Sequence, residues 1–327
     1  MPGVITHYLM SKASADLIGD SAVLNCLKQH GDVFYLGAQG PDILYFALGN
    51  KDLNNLGERM HGEGVAGFFA ECLNRIRKTA SHEGRDEIIA YMAGYICHFA
   101  LDVRAYPYIY YKAGFEGEDG RVEGESALRR HFLEATIDCV LLRNLEDKTP
   151  YALNIPGIIS VGAKKRMLIG KFLSETVASS YGVFIYPEDY AKAMKDMAFV
   201  YRIFRDRTGT RRRIAMALGK VSDGMRTVAS MMHCSPVKRL DYLNEQRAAW
   251  HYPWDDTIDI NASFMDLFNS AADDSRIYVN AFGKALNRQL DDKIALSILG
   301  GKNFSTGLES TVKFLYYNIE FEKLKEE

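Results

Sequence analysis

The 327-residue sequence lacks the features of a secreted, disulfide-stabilised protein. Its five cysteines are odd in number and widely scattered, and no Cys-x-x-Cys pair occurs, so neither a disulfide framework nor a cysteine zinc site is predicted. Such cysteines are typical of reduced thiols in the core of a cytosolic protein. The first residues, MPGVITHYLMSK, do not have the basic and then apolar pattern of a signal peptide. We therefore expect a cytoplasmic protein.

Long apolar runs and an excess of one charge are missing as well. No apolar run approaches the roughly 20 residues that a membrane span needs, so no transmembrane segment is predicted. The formal net charge of −2 at pH 7 argues against a protein whose whole surface binds nucleic acid. Hydrophobic residues (47%) and charged residues (25%) occur in the proportions of an ordinary soluble protein. The length allows one large domain or two.

Apolar residues recur with helical spacing through nearly the whole chain. Pro107 is expected to end the helix before it, and Pro41 to begin a short helix with Asp42 in its first turn. Helices are predicted at about residues 5–18, 21–30, 56–80, 85–106, 127–145, 163–180, 187–206, 211–232, 263–289 and 305–325, with loops at 50–55, 114–126, 148–161 and 243–261. The predicted fold is all-α, with a helical core at residues 1–146 and a C-terminal helical extension at 147–327 packed on it.

One stretch of the chain, YICHFALDVRAYPYIY at residues 95–110, combines an apolar helix with two ionisable side chains. His98 and Asp102 are four residues apart, so they lie on the same face of a helix, one turn from each other. Their neighbours are apolar, which predicts a buried pair. Because burying a charge without a partner is costly, such a pair requires a hydrogen-bonding partner or a metal ion.

Further histidines and carboxylates lie on the other helices predicted for the first 140 residues. Imidazole nitrogens and carboxylate oxygens suit zinc or another borderline divalent ion. His131 and Glu134 have the three-residue spacing found in metal sites of helical bundles, and Glu134 and Asp138 repeat the four-residue spacing. The candidate metal ligands are His7, Asp42, His61, His98, Asp102, His131, Glu134 and Asp138.

Several segments in a fixed order resemble the bacterial zinc-dependent phospholipase C family. They are PGVITHYLMSKA, FYLGAQGPDILYF, MHGEG, GYICHFALDVRAYPYIYYKAG and RRHFLEATIDCVLL, which together span about residues 1–145. WHYPWDD and SFMDLFNSA, later in the chain, are similar to intracellular members of that family. The resemblance implies a multi-helical bundle with up to three zinc ions in a cleft. It also implies hydrolysis of a phospholipid to diacylglycerol and a phosphorylated head group.

The resemblance also implies a role for each candidate ligand. Asp42 would bind zinc and act as general base on the attacking water, and Asp102 would bridge two ions. Glu134 and Asp138 compete for the role of the last carboxylate, because the secreted enzymes have a His-to-Glu spacing one residue longer. The implied histidine ligands are His7, His61, His98 and His131.

Two positions depart from the family pattern. Tyr106 stands before Pro107 where relatives usually have a histidine, and a phenol with a reference pKa of about 10 binds zinc poorly unless it is deprotonated. The chain begins Met1-Pro2-Gly3, whereas secreted relatives use the amine of a processed N-terminal tryptophan. We therefore expect fewer than three tightly held zinc ions, and catalytic activity depends on what replaces the missing ligands.

Two other functions stay open. A related zinc nuclease or nucleotide phosphatase uses a similar ligand order, but normally retains the histidine that is missing here. A non-catalytic helical protein with a residual metal site could instead serve as a binding or scaffold module. The partners expected are a phospholipid or another phosphodiester, and not nucleic acid. Head group and oligomeric state are not determined.

An arginine-rich run lies in the C-terminal half, with six arginines between residues 202 and 213. Such a run could contact anionic lipid or nucleic acid. A solvated helix end and loop around Asp206 is the simpler interpretation.

Overall fold

A computed structural model describes residues 3–80, 84–233 and 240–319, and these residues are mainly helical. The helices are α1 (Val4–Ala15), α2 (Ser21–Gln29), α3 (Gly31–Gly37), a 3₁₀ helix (Gly40–Phe46), α4 (Lys51–Gly62), α5 (Val65–Lys78), α6 (Arg85–Ala113), α7 (Gly124–Glu146), α8 (Ile155–Ile158), α9 (Ala163–Tyr181), α10 (Pro187–Phe204), α11 (Thr210–Leu218), α12 (Asp223–Met231), α13 (Phe264–Leu286) and α14 (Asp292–Leu299). Two short strands, β1 (Trp250–Tyr252) and β2 (Asp255–Ile260), form an antiparallel hairpin. The all-α prediction is confirmed.

Helix α6 runs through the centre of the hydrophobic core. Helices α1, α2, α3, α7 and α13 all pack against it, so side chains around its whole circumference are buried. By length and composition this helix could cross a membrane, but 89% of its most apolar window is buried inside the fold. The prediction that no apolar run approaches the length of a membrane span was therefore wrong. A helix that is surrounded by other helices needs the same apolar composition as a membrane span.

The approach of α3 to α6 depends on two glycines. A Cβ at Gly37 would lie 2.1 Å from the carbonyl oxygen of Tyr91, and a Cβ at Gly94 would lie 2.1 Å from that of Phe34. No larger residue fits at either position, because backbone atoms occupy the space. This contact places the 3₁₀ helix that follows α3 directly over the middle of α6.

Pro107 lies inside α6 and does not end it, contrary to the prediction. A proline within a helix removes one backbone hydrogen bond and costs about 3 kcal/mol. The residues after it, including Tyr108, Ile109 and Tyr111, are buried in the core. Since each buried side chain of this size contributes roughly 1.5–3 kcal/mol, the packing of the last turns offsets the cost of the proline.

Other boundaries also differ from the prediction. The helix predicted at residues 56–80 is divided into α4 and α5 at Gly64, which has a φ of +64°, and α4 already begins at Lys51, where a loop was expected. The helix predicted at 211–232 is divided near Gly219, and the segment 243–261 contains the hairpin. Residues 305–319 are not helical, and the rest of that predicted helix lies outside the described residues.

The C-terminal half adds helices to the same hydrophobic core. Helix α13 packs against α1 and α6, and α10 packs against α9 and the 3₁₀ helix. Cys26, Cys72, Cys97 and Cys139 are buried, as predicted for core thiols, while Cys234 lies outside the described residues. The division into a core at 1–146 and an extension at 147–327 stays a prediction.

Candidate metal centre

Five of the predicted ligands meet in the interior, although they come from four different helices. His7 lies on α1, Asp42 on the 3₁₀ helix, His61 on α4, and His98 and Asp102 on α6. None of them is more than 6% exposed. We call these five residues the metal-centre group.

The distances within the metal-centre group match the spacing of ligands around one ion. His61 Nε2 lies 3.1 Å from Asp42 Oδ1, and His98 Nε2 lies 3.1 Å from Asp102 Oδ2. His7 Nε2 lies 3.4 Å from Asp102 Oδ1. Donor atoms about 2.1 Å from a tetrahedral zinc ion lie about 3.4 Å from one another. The group contains two overlapping ligand triples, which are His7–Asp42–His98 and His61–His98–Asp102. In each triple, every residue offers one ligand atom, and these three atoms lie within 4.8 Å of one another.

The hydrogen bonds of two imidazoles orient their other nitrogens toward the centre of the group. His61 Nδ1 lies 2.7 Å from the carbonyl oxygen of Gly57, and His98 Nδ1 lies 3.2 Å from that of Ala38. A carbonyl oxygen can only accept, so each Nδ1 carries a proton, and Nε2, which faces the carboxylates, is the nitrogen left to bind a metal ion. This tautomer is the one that a metal-binding histidine needs.

Several buried polar atoms in the metal-centre group have no hydrogen-bond partner among the described residues. They are both ring nitrogens of His7, Nε2 of His98 and both carboxylate oxygens of Asp102. An unsatisfied buried polar atom costs about 1–3 kcal/mol, and more when it is charged. A divalent cation would satisfy Nε2 of His7, Nε2 of His98 and the Asp102 carboxylate together, so the residues present fit a metal ion.

Packing between helices holds the ligands in this arrangement. The rings of His7 and His98 are stacked, with centroids 4.0 Å apart and planes 15° from parallel. Gly40, at the start of the 3₁₀ helix, has a φ of +49°, and a Cβ there would lie 2.5 Å from the His98 ring. The glycine therefore allows the backbone to lie directly on the imidazole, which brings Asp42 into the group two residues later.

The charges of the group favour a bound cation. Burial opposes ionisation of Asp102, but His98 and His7 outweigh it and hold the pKa of Asp102 well below its usual range. Burial and the neighbouring His98 lower the pKa of His7, whereas Asp102 and Asp42 overcome the effect of burial on His98 and raise its pKa. At neutral pH the carboxylate of Asp102 is thus ionised and the imidazole of His7 is neutral, so both can bind a metal ion.

Comparison with known proteins bears on the part of the chain that carries this group. Residues 6–105 match the family model of zinc dependent phospholipase C. The matched range contains all five residues of the metal-centre group, so the predicted resemblance is confirmed there. Searches among curated proteins and among solved structures found no significant match.

Asp138, a predicted ligand, lies outside the metal-centre group and serves the N-terminus of α1. Its Oδ1 accepts hydrogen bonds from the backbone N–H of Thr6 (2.7 Å) and from the Thr6 hydroxyl (2.6 Å). Its Oδ2 accepts from the Ile5 N–H (3.2 Å) and lies 2.9 Å from His233 Nε2. Helix α1 has no side-chain cap of its own at Gly3, so Asp138 fulfils that role from a distant helix. We leave Asp138 out of the proposed ligand set.

His131 and Glu134, the other two predicted ligands on α7, do not belong to either ligand triple. His131 is half-buried, with Nδ1 3.5 Å from the Ser230 hydroxyl, and burial together with Arg130 lowers its pKa to about 3. Glu134 is buried, its pKa is raised mainly by that burial, and its Oε1 lies 3.6 Å from Arg130 Nε. Their role as metal ligands stays a prediction.

Tyr106 and Arg130 affect which further side chains near the metal-centre group could bind zinc. Tyr106 is buried one turn after Asp102, and burial, with Asp102 adding to it, raises the pKa of its phenol well above the usual value. The phenol therefore stays protonated and is a poor zinc ligand. Arg130, which the sequence did not single out, puts a permanent positive charge next to Glu134. In the sequence, the only indication of this role was the position of Arg130 directly before His131, a candidate ligand.

Proposed function

We propose that this protein is a zinc-dependent phosphodiesterase of the phospholipase C type, which hydrolyses a phospholipid to diacylglycerol and a phosphorylated head group. The observation that carries the proposal is the buried metal-centre group, whose orphaned nitrogens and oxygens face one another at ligand spacing. The match of residues 6–105 to the zinc dependent phospholipase C model supports the same reaction class. A cytoplasmic location is part of the proposal, supported by the buried thiols.

The proposed ligands are His7, Asp42, His61, His98 and Asp102, holding one or two zinc ions. A zinc ion at such a site supplies Lewis-acid polarisation of the phosphoryl oxygen and a lower pKa for its bound water. Asp102 lies within 4 Å of all three histidines of the group, so it would hold zinc together with any of them. Its two oxygens approach different histidines, His7 with Oδ1 and His98 with Oδ2.

Asp42 is the proposed general base. It is the most exposed carboxylate of the group, and its Oδ1 lies 3.1 Å from His61 Nε2 and 3.7 Å from His98 Nε2. In the reaction, the water oxygen bonds to phosphorus and the bond between phosphorus and the glycerol oxygen breaks. Asp42 takes one proton of the water, the glycerol oxygen takes a proton from solvent as diacylglycerol leaves, and Asp42 then returns its proton to solvent.

Metal analysis combined with hydrolysis assays tests the proposal. We expect zinc in the purified protein, and release of a coloured phenol from a chromogenic phosphodiester that stops after chelation and returns when zinc is added. His98→Ala should lose both zinc and activity, while the matched control His251→Gln, outside the group, should keep both. A protein without zinc and without activity, or activity that chelation does not affect, would contradict the proposal.

A second candidate function is a non-catalytic helical protein that binds zinc. The protonated phenol of Tyr106 and the structural use of Asp138 favour it, because both reduce the number of ligands beside the metal-centre group. Zinc bound at full stoichiometry, without hydrolysis of phosphatidylcholine, the chromogenic diester or an oligonucleotide, would support this function. Hydrolysis of the oligonucleotide alone would identify a nuclease.

A further inference from the structure

A cavity separate from the metal-centre group is lined by basic side chains. It has a volume of about 740 Å³ and lies between α7, α8, α10 and the start of α11. None of the five metal-centre residues lines it. Among the described residues its lining contains one acidic residue, Asp206, and six basic ones: Arg143, Lys148, Arg205, Arg207, Arg212 and Arg213.

Most of the positive charge in this cavity is not neutralised by the protein. Within the described part of the chain, no carboxylate lies within 4 Å of the guanidinium groups of Arg205, Arg207, Arg212 or Arg213, whereas Arg143 and Lys148 have acidic partners. Asp206 accepts a hydrogen bond from the backbone N–H of Arg212 at 3.0 Å, so its carboxylate stabilises the loop. Arginine stays charged at all physiological pH values, and the cavity therefore attracts anions.

The arrangement of two of these arginines suits a phosphate. The guanidinium groups of Arg205 and Arg207 lie over the ring of Tyr151, 4.8 Å and 5.8 Å from its centroid. In addition, Arg212 Nε is buried and has no hydrogen-bond partner among the described residues. Guanidinium groups fixed in this way bind phosphate oxygens with little loss of side-chain freedom.

Apolar side chains are exposed beside the cavity. In α11 only Ala215 is buried, while Ile214 (55% exposed), Met216 and Leu218 face solvent, and Val221 just beyond the helix is 86% exposed. Ile214 and Leu218 are four residues apart and so share one face of the helix.

The end of α10 extends this apolar surface. Phe199 and Ile203 on α10 are also exposed. The guanidinium of Arg211 donates a hydrogen bond to the Ile203 carbonyl oxygen at 2.8 Å, so the end of α10 and the start of α11 are neighbours. The two helix ends therefore lie side by side, and both carry exposed apolar residues.

Charge complementarity indicates what covers this surface. Single exposed apolar residues are normal, but several on one short helix, next to a cationic cavity, are typical of segments that lie at a membrane surface. A soluble phosphate ester would account for the arginines and leave the apolar residues unexplained. A second copy of the chain would cover the apolar residues but would place two cationic cavities near each other, at an electrostatic cost.

We propose that the ends of α10 and α11 form a docking site for the surface of an anionic phospholipid membrane. Ile214, Leu218 and Val221 enter the boundary between head groups and acyl chains, and the arginine-lined cavity takes the phosphate of an anionic lipid. The proposal goes beyond the proposed function, because docking does not require the metal-centre group or hydrolysis.

Co-sedimentation with vesicles tests the docking site. One vesicle type contains phosphatidylcholine alone, and the other contains phosphatidylcholine mixed with phosphatidylglycerol. We expect binding to the mixed vesicles, weakened by salt, and little binding to phosphatidylcholine alone. Replacing two arginines, in the variant Arg207→Gln/Arg213→Gln, should weaken binding roughly 30-fold, since each basic residue near an anionic surface contributes about fivefold.

Apolar insertion is tested separately from charge. Ile214→Ser/Leu218→Ser should weaken binding by at least ~10-fold, because side chains that enter the membrane boundary lose their apolar burial. The matched controls are Arg276→Gln, an exposed arginine on α13, and Ile294→Ser, an exposed isoleucine on α14, and both should bind as the unchanged protein does. Circular dichroism of each variant shows whether it is folded.

Three results would overturn the docking proposal. They are equal binding to both vesicle types, unchanged binding by the folded α11 variants, and binding of inorganic phosphate or glycerol 3-phosphate in the cavity without binding of vesicles. The last result would identify a site for a soluble phosphate ester. Hydrolysis measured in the same samples reports on the metal-centre group independently, so either proposal can fail without the other.

Discussion

The interaction of Asp138 with the start of α1 leads to a prediction that separates a structural carboxylate from a metal ligand. Asp138→Asn keeps the size of the side chain and removes its charge. The amide oxygen of the asparagine can still accept from the N–H and hydroxyl of Thr6. Its NH₂ group would then replace Oδ2 and face two donors, the Ile5 N–H and His233 Nε2. Two charge-assisted hydrogen bonds are therefore lost.

The magnitude follows from those two contacts. A hydrogen bond to a charged group contributes about 1.5–3 kcal/mol, so we expect Asp138→Asn to lower the free energy of unfolding by about 3 kcal/mol or more. An unfolding entropy of about 2.1 cal/mol/K per residue, over the whole chain, converts 3 kcal/mol into a fall in Tm of about 4 °C. The helix dipole of α1 acts in the same direction, because it loses an anion at its positive end.

Differential scanning calorimetry and zinc analysis check this prediction together. Asp138→Asn should lower Tm while the zinc content of the folded protein stays at the level of the unchanged protein. Glu134→Gln, one turn earlier on α7, is the comparison variant, since it was predicted as a ligand by the same spacing. If Asp138→Asn loses zinc and keeps its Tm, Asp138 is a metal ligand and the structural interpretation is refuted.

Three further predictions concern the metal-centre group and its surroundings. Asp102→Asn should lower zinc affinity by at least ~10-fold, measured by competition with a chelating dye, and unchanged affinity would exclude Asp102 as a ligand. Gly40→Ala should cost at least about 1–2 kcal/mol in urea unfolding, because of its positive φ, and should lower zinc content by displacing His98. The third prediction concerns pH. The pKa of His131 is 6.5 in the unfolded chain and about 3 in the folded protein, so the unfolded chain binds a proton first as the pH is lowered. The free energy of unfolding should therefore decrease between pH 6.5 and pH 3, and His131→Gln should make this decrease smaller. Equal urea midpoints of the two proteins across this range would contradict that assignment.

Much of the fold could be predicted from local sequence. Helical spacing of apolar residues depends only on the 3.6-residue turn, and it predicted the all-α class correctly. Boundaries were less accurate, because tertiary packing can override local preferences. Pro107 lies within α6 because the residues after it are buried. Gly64, in contrast, ends one predicted helix and divides it into two, since its positive φ is incompatible with a continuous helix.

The metal-centre group shows what residue spacing within one helix can predict about a site and what it cannot. The pairing of His98 with Asp102 follows from four-residue spacing on one helix, and it was correctly predicted. The same spacing predicted Glu134 and Asp138 as a second pair, but Asp138 interacts with α1, more than 130 residues away in the chain. Spacing on a helix determines which side chains share a face, and it contains no information about what that face contacts.

The sequence by itself determined the all-α class, the buried His98–Asp102 pair and the residue types suited to zinc, because these depend on neighbours within a few residues. Only the tertiary structure decided which of the eight predicted ligands meet: His7, Asp42 and His61 lie beside that pair, whereas Asp138 caps α1. It also decided that the arginines of residues 205–213 line a cavity beside exposed apolar side chains. Each of these arrangements requires segments distant in the chain to pack together, and the close contacts at Gly37, Gly40 and Gly94 are where that packing is achieved.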